Sequence, residues 1–194
     1  IYVGYKYFQT AAADKVMYPF GFGMSYTDFE ITGSVKNVDE NSVIVDTAVK
    51  NTGDCSGKEV VQVYIEAPQG KLGKPARTFV GYAKTVELAA QDSQKLDDSG
   101  ITGHKSAFIL EEGEYKVYAG NNVAEAEYIG SFSQEFQVIE QLEEALAPIE
   151  EFERMHPVSA DKAEHSEKDS GDNTGNSGLY EMEFQKVPTR TVNL

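Results

Sequence analysis

The chain has 194 residues, and its 32 Asp and Glu against 17 Lys and Arg leave a formal charge of −15, so a basic face for nucleic acid is excluded. A single cysteine, Cys55, excludes an internal disulfide, and no run reaches the roughly 20 apolar residues that a membrane-spanning helix needs. The length suits one ordinary domain with long extensions, or two small domains.

Residues 1 to about 28 are rich in aromatics and glycine, with the run Tyr18-Pro19-Phe20-Gly21-Phe22-Gly23-Met24-Ser25-Tyr26. Gly and Pro at that density forbid a helix interior, and so many aromatics predict an ordered loop packed on a neighbour. From about 29 to 138 the pattern is β. Ser42 to Asn51 alternates Val43, Val45, Thr47 and Val49 against Ile44, Asp46, Ala48 and Lys50, a period of two. Asn51-Thr52-Gly53-Asp54 supplies a turn, and the β-branched and aromatic run Val60 to Ile65 predicts a second strand within Glu59–Ala67. Arg77 to Leu88 alternates again. Phe108-Ile109-Leu110 and Tyr115-Lys116-Val117-Tyr118 flank Glu111-Glu112-Gly113-Glu114, which predicts a hairpin with glycine at its turn. Ile129 to Ile139 is the last strand of the series. Short strands about ten residues apart predict an all-β antiparallel sandwich. From Gln91 to Ser106 the only apolar side chains are Leu96 and Ile101, too few for a self-burying strand, so one sheet is expected to lack a strand.

Ile139, Leu142, Leu146 and Ile149 form one stripe of a short helix that Pro148 stops. Between Glu140 and Asp172 eleven acids face three bases, about half of the whole acidic excess. Ser159 to Gly178 is polar and aperiodic and reads as a flexible, partly disordered linker. Tyr180, Met182 and Phe184 then alternate with Glu181, Glu183 and Gln185, an extended arm expected to seek a partner outside the chain.

Candidate chemistry is sparse. Paired carboxylates could hydrolyse a glycoside or peptide, but no Asp or Glu lies inside a clear apolar run, so the acids are expected to be solvated. Asp97-Asp98 lacks the spacing of a calcium loop. His104, His156 and His165 are far apart in polar segments and are expected to be exposed. Cys55 is expected to be a small buried or half-buried turn residue. Gly21-Phe22-Gly23 lacks the third glycine of a dinucleotide fingerprint. A sugar-stacking platform would have to rest on the 11 tyrosines, since tryptophan is absent. These residues nominate no catalytic, cofactor-binding or metal-binding residue and no cofactor.

Ile1-Tyr2-Val3-Gly4-Tyr5-Lys6-Tyr7-Phe8-Gln9-Thr10, followed by Tyr18-Pro19-Phe20-Gly21-Phe22-Gly23-Met24-Ser25-Tyr26-Thr27, resembles the junction of family-3 glycoside hydrolases (β-glucosidases and relatives) between the α/β sandwich and a fibronectin type III-like domain. The resemblance continues through Asn51-Thr52-Gly53, Gly57-Lys58-Glu59-Val60-Val61-Gln62-Val63-Tyr64, Gly73-Lys74-Pro75-Ala76-Arg77, Val80-Gly81-Tyr82-Ala83-Lys84-Thr85, Glu112-Gly113-Glu114-Tyr115 and Val117-Tyr118-Ala119-Gly120-Asn121. It covers residues 1 to about 138. The tail, with Leu142 to Met155, Tyr180 and Val187-Pro188-Thr189-Arg190-Thr191, resembles the linker of members with reversed domain order, in which a (β/α)₈ barrel follows.

The resemblance implies residues 1–28 as the end of the α/β sandwich domain and a junction loop, 29–138 as the fibronectin type III-like (immunoglobulin-like) domain, and 139–194 as a short helix, acidic linker and arm. It implies a chain inactive by itself that clamps two absent catalytic domains, the α/β sandwich and the barrel, of a parent enzyme that binds carbohydrate and hydrolyses terminal β-D-glucosyl residues by a retaining mechanism. Neither catalytic motif of the family aligns to a residue here. The alternatives are an independent carbohydrate-binding module and a protein-binding β-sandwich. The first residues carry neither the charged start nor the apolar stretch of a secretory signal, so a bacterial cytoplasmic setting is expected in preference to secretion.

Overall fold

The computed structural model describes residues 1–39, 42–83, 86–89, 95–97, 107–142, 150–158 and 179–187. A short helix, α1 (Tyr5–Ala11), is followed by twelve strands among the described residues: β1 (Phe29–Asp39), β2 (Ser42–Asn51), β3 (Val61–Glu66), β4 (Thr78–Ala83), β5 (Val86–Ala89), β6 (Lys95–Asp97), β7 (Ala107–Leu110), β8 (Gly113–Gly120), β9 (Glu127–Gln134), β10 (Gln137–Gln141), β11 (Phe152–Val158) and β12 (Glu181–Val187). All described pairings are antiparallel. They give sheets ordered β4-β3-β8-β9, β1-β2-β5, β10-β7-β6 and β11-β12. The all-β antiparallel architecture expected from the alternation is present.

The period of two dictates the core. On β2, Val43 and Val45 point inward; on β3, Val63 and Ile65; on β8, Tyr115 and Val117. Val35, Val80, Ile129 and Phe132 close around them, and the Tyr115 and Phe132 rings stack at 5.3 Å. Each such apolar side chain contributes roughly 1.5–3 kcal/mol by leaving water. A second, smaller core joins Ala107 and Ile109 of β7 to Leu72 of the β3–β4 connection.

β3 departs from simple alternation because Val61, Gln62, Val63, Tyr64 and Ile65 are all buried. Its outer face is covered too. The Gln62 side chain donates to the Gly21 carbonyl at 3.1 Å and to the Asn121 carbonyl, and Tyr64 meets Phe79 edge-on, which meets Phe20 in turn. The N-terminal segment therefore lies on the face of this sheet opposite the sandwich core. α1 begins after Gly4, and the Tyr5 hydroxyl accepts the Phe79 amide at 2.9 Å at the edge of the sheet. Such a short aromatic helix has little stability of its own and owes its form to that packing.

Several expectations are corrected. β7 and β8 do not pair with each other. β7 pairs with β6 and β10, and β8 with β3 and β9, so Glu111–Glu112 is an arch between two sheets and not a hairpin turn. Gly113 has φ +141°, where a side chain would be strained and would meet Pro68. The Tyr115 hydroxyl donates back to the Glu111 carbonyl at 2.9 Å, the corner that pins such an arch in immunoglobulin-like sandwiches. The expected strand Ile129–Ile139 divides into β9 and β10, which belong to different sheets. The interval expected to lack a strand contains β6, three residues paired with β7; a backbone ladder needs few apolar side chains when it borrows a neighbour's. Ile139 lies in β10 and Leu142 just after it in no helix; Leu146 and Ile149, the rest of that stripe, and the linker 159–178 fall outside the described residues. The arm finds a partner within the chain, since β12 pairs with β11 from Phe152↔Val187 to Val158↔Glu181.

Candidate functional site: a buried polar hub under the two ends of the chain

Period two on β3 and β8 also dictates what lies on the outer face. Past Gln62 and Tyr64 the next outward residue of β3 is Glu66, in register with Lys116 and two residues from the position facing Tyr118. The Glu66 side chain is 14% exposed. Its Oε2 accepts from Arg77 Nη1 at 2.7 Å and from the Tyr118 hydroxyl at 2.9 Å. Its Oε1 accepts from the Tyr180 hydroxyl at 2.8 Å and lies 3.4 Å from Lys116 Nζ. The Arg77 guanidinium also covers the Tyr118 ring, 3.4 Å from its centroid. Burial by itself would raise the Glu66 pKa. The hydrogen bonds from Tyr180 and Tyr118 and the charges of Arg77 and Lys116 outweigh it, and the carboxyl titrates below its ordinary value. Tyr118 and Tyr180 are both pushed up to about 12, first by burial and further by the neighbouring carboxylate.

A second carboxylate organises the connection between β3 and β4. Glu111, at the arch, is buried, as is Lys74, and the two form an ion pair. Glu111 Oε1 accepts the Lys71 amide at 2.7 Å, while Lys74 Nζ also donates to the Pro68 carbonyl at 2.8 Å. Gly70, at φ +48°, leaves room for this carboxylate where any Cβ would collide with it. Burial lowers the Lys74 pKa, opposed by Glu111. The result is a loop whose residues Leu72 to Arg77 are all buried.

Helix α1 and the strand β11 fasten to this loop. Thr10 of α1, fully buried, accepts the Ala76 amide on its Oγ1 at 3.0 Å, and its carbonyl accepts the Tyr180 amide at 3.0 Å. Arg154 of β11 donates to the Lys71 carbonyl at 3.1 Å and to the Leu72 carbonyl. Helix α1, the loop, β11 and the start of β12 are thus stitched together by hydrogen bonds around one buried carboxylate, Glu111, and one partly buried, Glu66. Beside the hub the N-terminal segment is only half covered. Tyr5 stacks on Phe20, but Met17, Met24 and Tyr26 are 84%, 93% and 100% exposed.

The residues weighed from sequence lie elsewhere. Cys55 is exposed, not buried: its turn is held through backbone, the Asn51 side-chain amide donating to the Cys55 carbonyl at 2.7 Å, while its glycines and not its thiol face Thr27 and Phe29. His156 is half-buried, not exposed: it lies on β11 against Gly73, and its Nδ1 is buried without a hydrogen-bond partner among the described residues. Asp97 ends β6, while Asp98, His104 and His165 fall outside the described residues. The expectation that all acids are solvated fails for Glu66 and Glu111. Each sits one step beyond an apolar run and is covered, fully for Glu111 and partly for Glu66, by elements distant in sequence. The phase of β3, and Lys74 and Arg77 flanking Pro75, were the available signals. Among the described residues no cluster of three metal-ligating side chains occurs.

Residues 59–123 match a fibronectin type III-like domain. The β-glucosidase of Ruminococcus albus is 48% identical over 168 residues, covering 80% of this chain and 18% of that protein. A solved β-glucosidase from Paenibacillus barengoltzii, 38% identical, superposes with a TM-score of 0.79 over 100% of this chain and 22% of its own length. The GH3 β-glucosidase of Bifidobacterium adolescentis superposes with a TM-score of 0.60 at 26% identity, over 70% of this chain and 21% of its own. The chain spans about a fifth of the length of these relatives. The corner at Tyr115, the four-stranded sheet and the motif series agree with those matches, and the chain belongs to the fibronectin type III-like domains of family-3 glycoside hydrolases.

Proposed function

We propose that this chain is a non-catalytic module that holds together the catalytic domains of a β-glucosidase, with residues 1–28 as the junction from a preceding domain, 29–138 as the module, and 139–194 as the passage to a following one. The observation that carries this is the hydrogen bond from the Tyr180 amide to the Thr10 carbonyl, which brings the N-terminal helix and the C-terminal arm side by side on one rigid loop. A body that anchors its first helix and the start of β12 at one place fixes whatever those elements lead to. Such fixing matters where catalytic groups come from different domains, since errors near 1 Å can cost about 10²-fold in rate. The exposed Met17, Tyr18, Met24 and Tyr26 form an apolar shelf suited to a covering domain.

The test is an aryl β-glucoside assay of the purified chain beside the full-length protein that carries it. The full-length protein is expected to turn over and the chain to be inert. Turnover by the chain itself would overthrow the assignment.

A further inference from the structure

The carboxylates of Glu111, buried, and Glu66, partly buried, have different reach. Every described side-chain partner of Glu111 belongs to the loop between β3 and β4, so that carboxylate shapes the loop. Glu66 instead joins the loop (Arg77), β8 (Lys116 and Tyr118) and the residue that immediately precedes β12, Tyr180. Tyr180 is held by its amide on Thr10 and by its hydroxyl on Glu66, with Gln69 beside that hydroxyl. Two anchors on one residue fix the direction in which the chain leaves it, where one would leave a pivot. The sandwich core does not need this contact, because Val63, Ile65, Tyr115 and Val117 lie on the opposite face of the sheet.

We propose that Glu66 is a positioning residue whose carboxylate locks Tyr180 and thereby sets the path of β12 and of the domain beyond it. The inference rests on the clamp reading above. Charge matters as well as shape: with the carboxylate replaced by an amide, Arg77 and Lys116 lose their counter-charge, and the hydroxyls of Tyr118 and Tyr180 lose an ionised acceptor.

The experiment compares Glu66→Gln, Tyr180→Phe and the double variant, using amide hydrogen exchange on the chain and steady-state kinetics on the full-length protein. Glu66→Gln is expected to speed exchange in residues 179–187 about 10- to 100-fold, the size set by a hydrogen bond to a charged group, while β3 and β8 keep their protection. Turnover is expected to fall about 10-fold at unchanged KM. Tyr180→Phe, which keeps the ring and guards against a folding failure of the first variant, should show a smaller effect in the same residues. The double variant should add little to Glu66→Gln, as expected of one shared contact. Unchanged exchange at 179–187 in both single variants overturns the proposal, as does an equal loss of protection through β3 and β8, or a freed arm with kcat intact. If the unaltered full-length protein fails to cleave aryl β-glucosides, the clamp reading fails by itself, and the exchange data alone decide whether Glu66 holds the arm.

Discussion

The two faces of the β4-β3-β8-β9 sheet are finished in different ways. The inner face is closed with side chains from β1 and β2, leaving Val45, Val63 and Val117 with no exposed surface. The outer face is closed by a polar hub and by an N-terminal segment that buries Thr10 and Ala12 yet leaves Met24 and Tyr26 in water. Both regions are rich in apolar residues, so apolar content by itself does not distinguish a core from a surface made for something else. The inner face draws its stability from non-directional burial, whereas the outer face depends on charges and hydrogen bonds that fail singly.

The sharpest way to break that contrast is at the buried ion pair. Glu111→Ala leaves the buried Lys74 charge without its counter-charge and removes the acceptor of the Lys71 amide; chemical denaturation is expected to show a loss of about 3–5 kcal/mol. The combined Lys74→Met, Glu111→Leu chain should recover much of it, and a double variant as unstable as the single one would refute the account. On the inner face Ile65→Ala is expected to cost about 2–5 kcal/mol in the same measurement, with no change in the pH dependence of stability.

The pH profile separates the faces more finely. Glu66 titrates lower in the folded chain than in the unfolded one, so its contribution is present above the ordinary carboxylate range and disappears as pH falls through the folded value. Tyr118 and Tyr180 titrate near 12 in the folded chain against 10.0 for a free phenol. The unfolded chain releases those protons first, so stability falls as pH rises from 10 to 12. Melting temperatures across both ranges check this, and Tyr180→Phe should flatten the alkaline limb. The smallest effect is expected at the shelf. Met24→Ser should alter the stability of the isolated chain by no more than about 0.5 kcal/mol, while a larger loss would mean that the shelf belongs to the chain's own core.

Much of the sandwich was legible in the sequence because a strand announces itself locally. β2 begins and ends where the alternation from Ser42 to Asn51 does, and β3 lies within the apolar run that contains it. Which strands pair was not legible. The residues flanking Glu111–Glu112 look like a hairpin because a tight turn and a sheet-crossing arch use the same glycine, and the difference lies in distant neighbours. β11 escaped notice because Pro157 and a run of charges mask its alternation, and its pairing with β12 spans a long polar interval.

The amino-acid order by itself determined the alternation, the turns, the acidic balance and the motifs that carry the family resemblance, all properties of residues a few positions apart. Only the tertiary structure decided that Glu111 is buried and Glu66 partly so, that Thr10 and Tyr180 meet, and that the aromatic N-terminal segment is half clothed. Whether a carboxylate is buried depends on which cations and hydroxyls fold over it. Those come here from residues tens of positions away, so no local pattern could announce them.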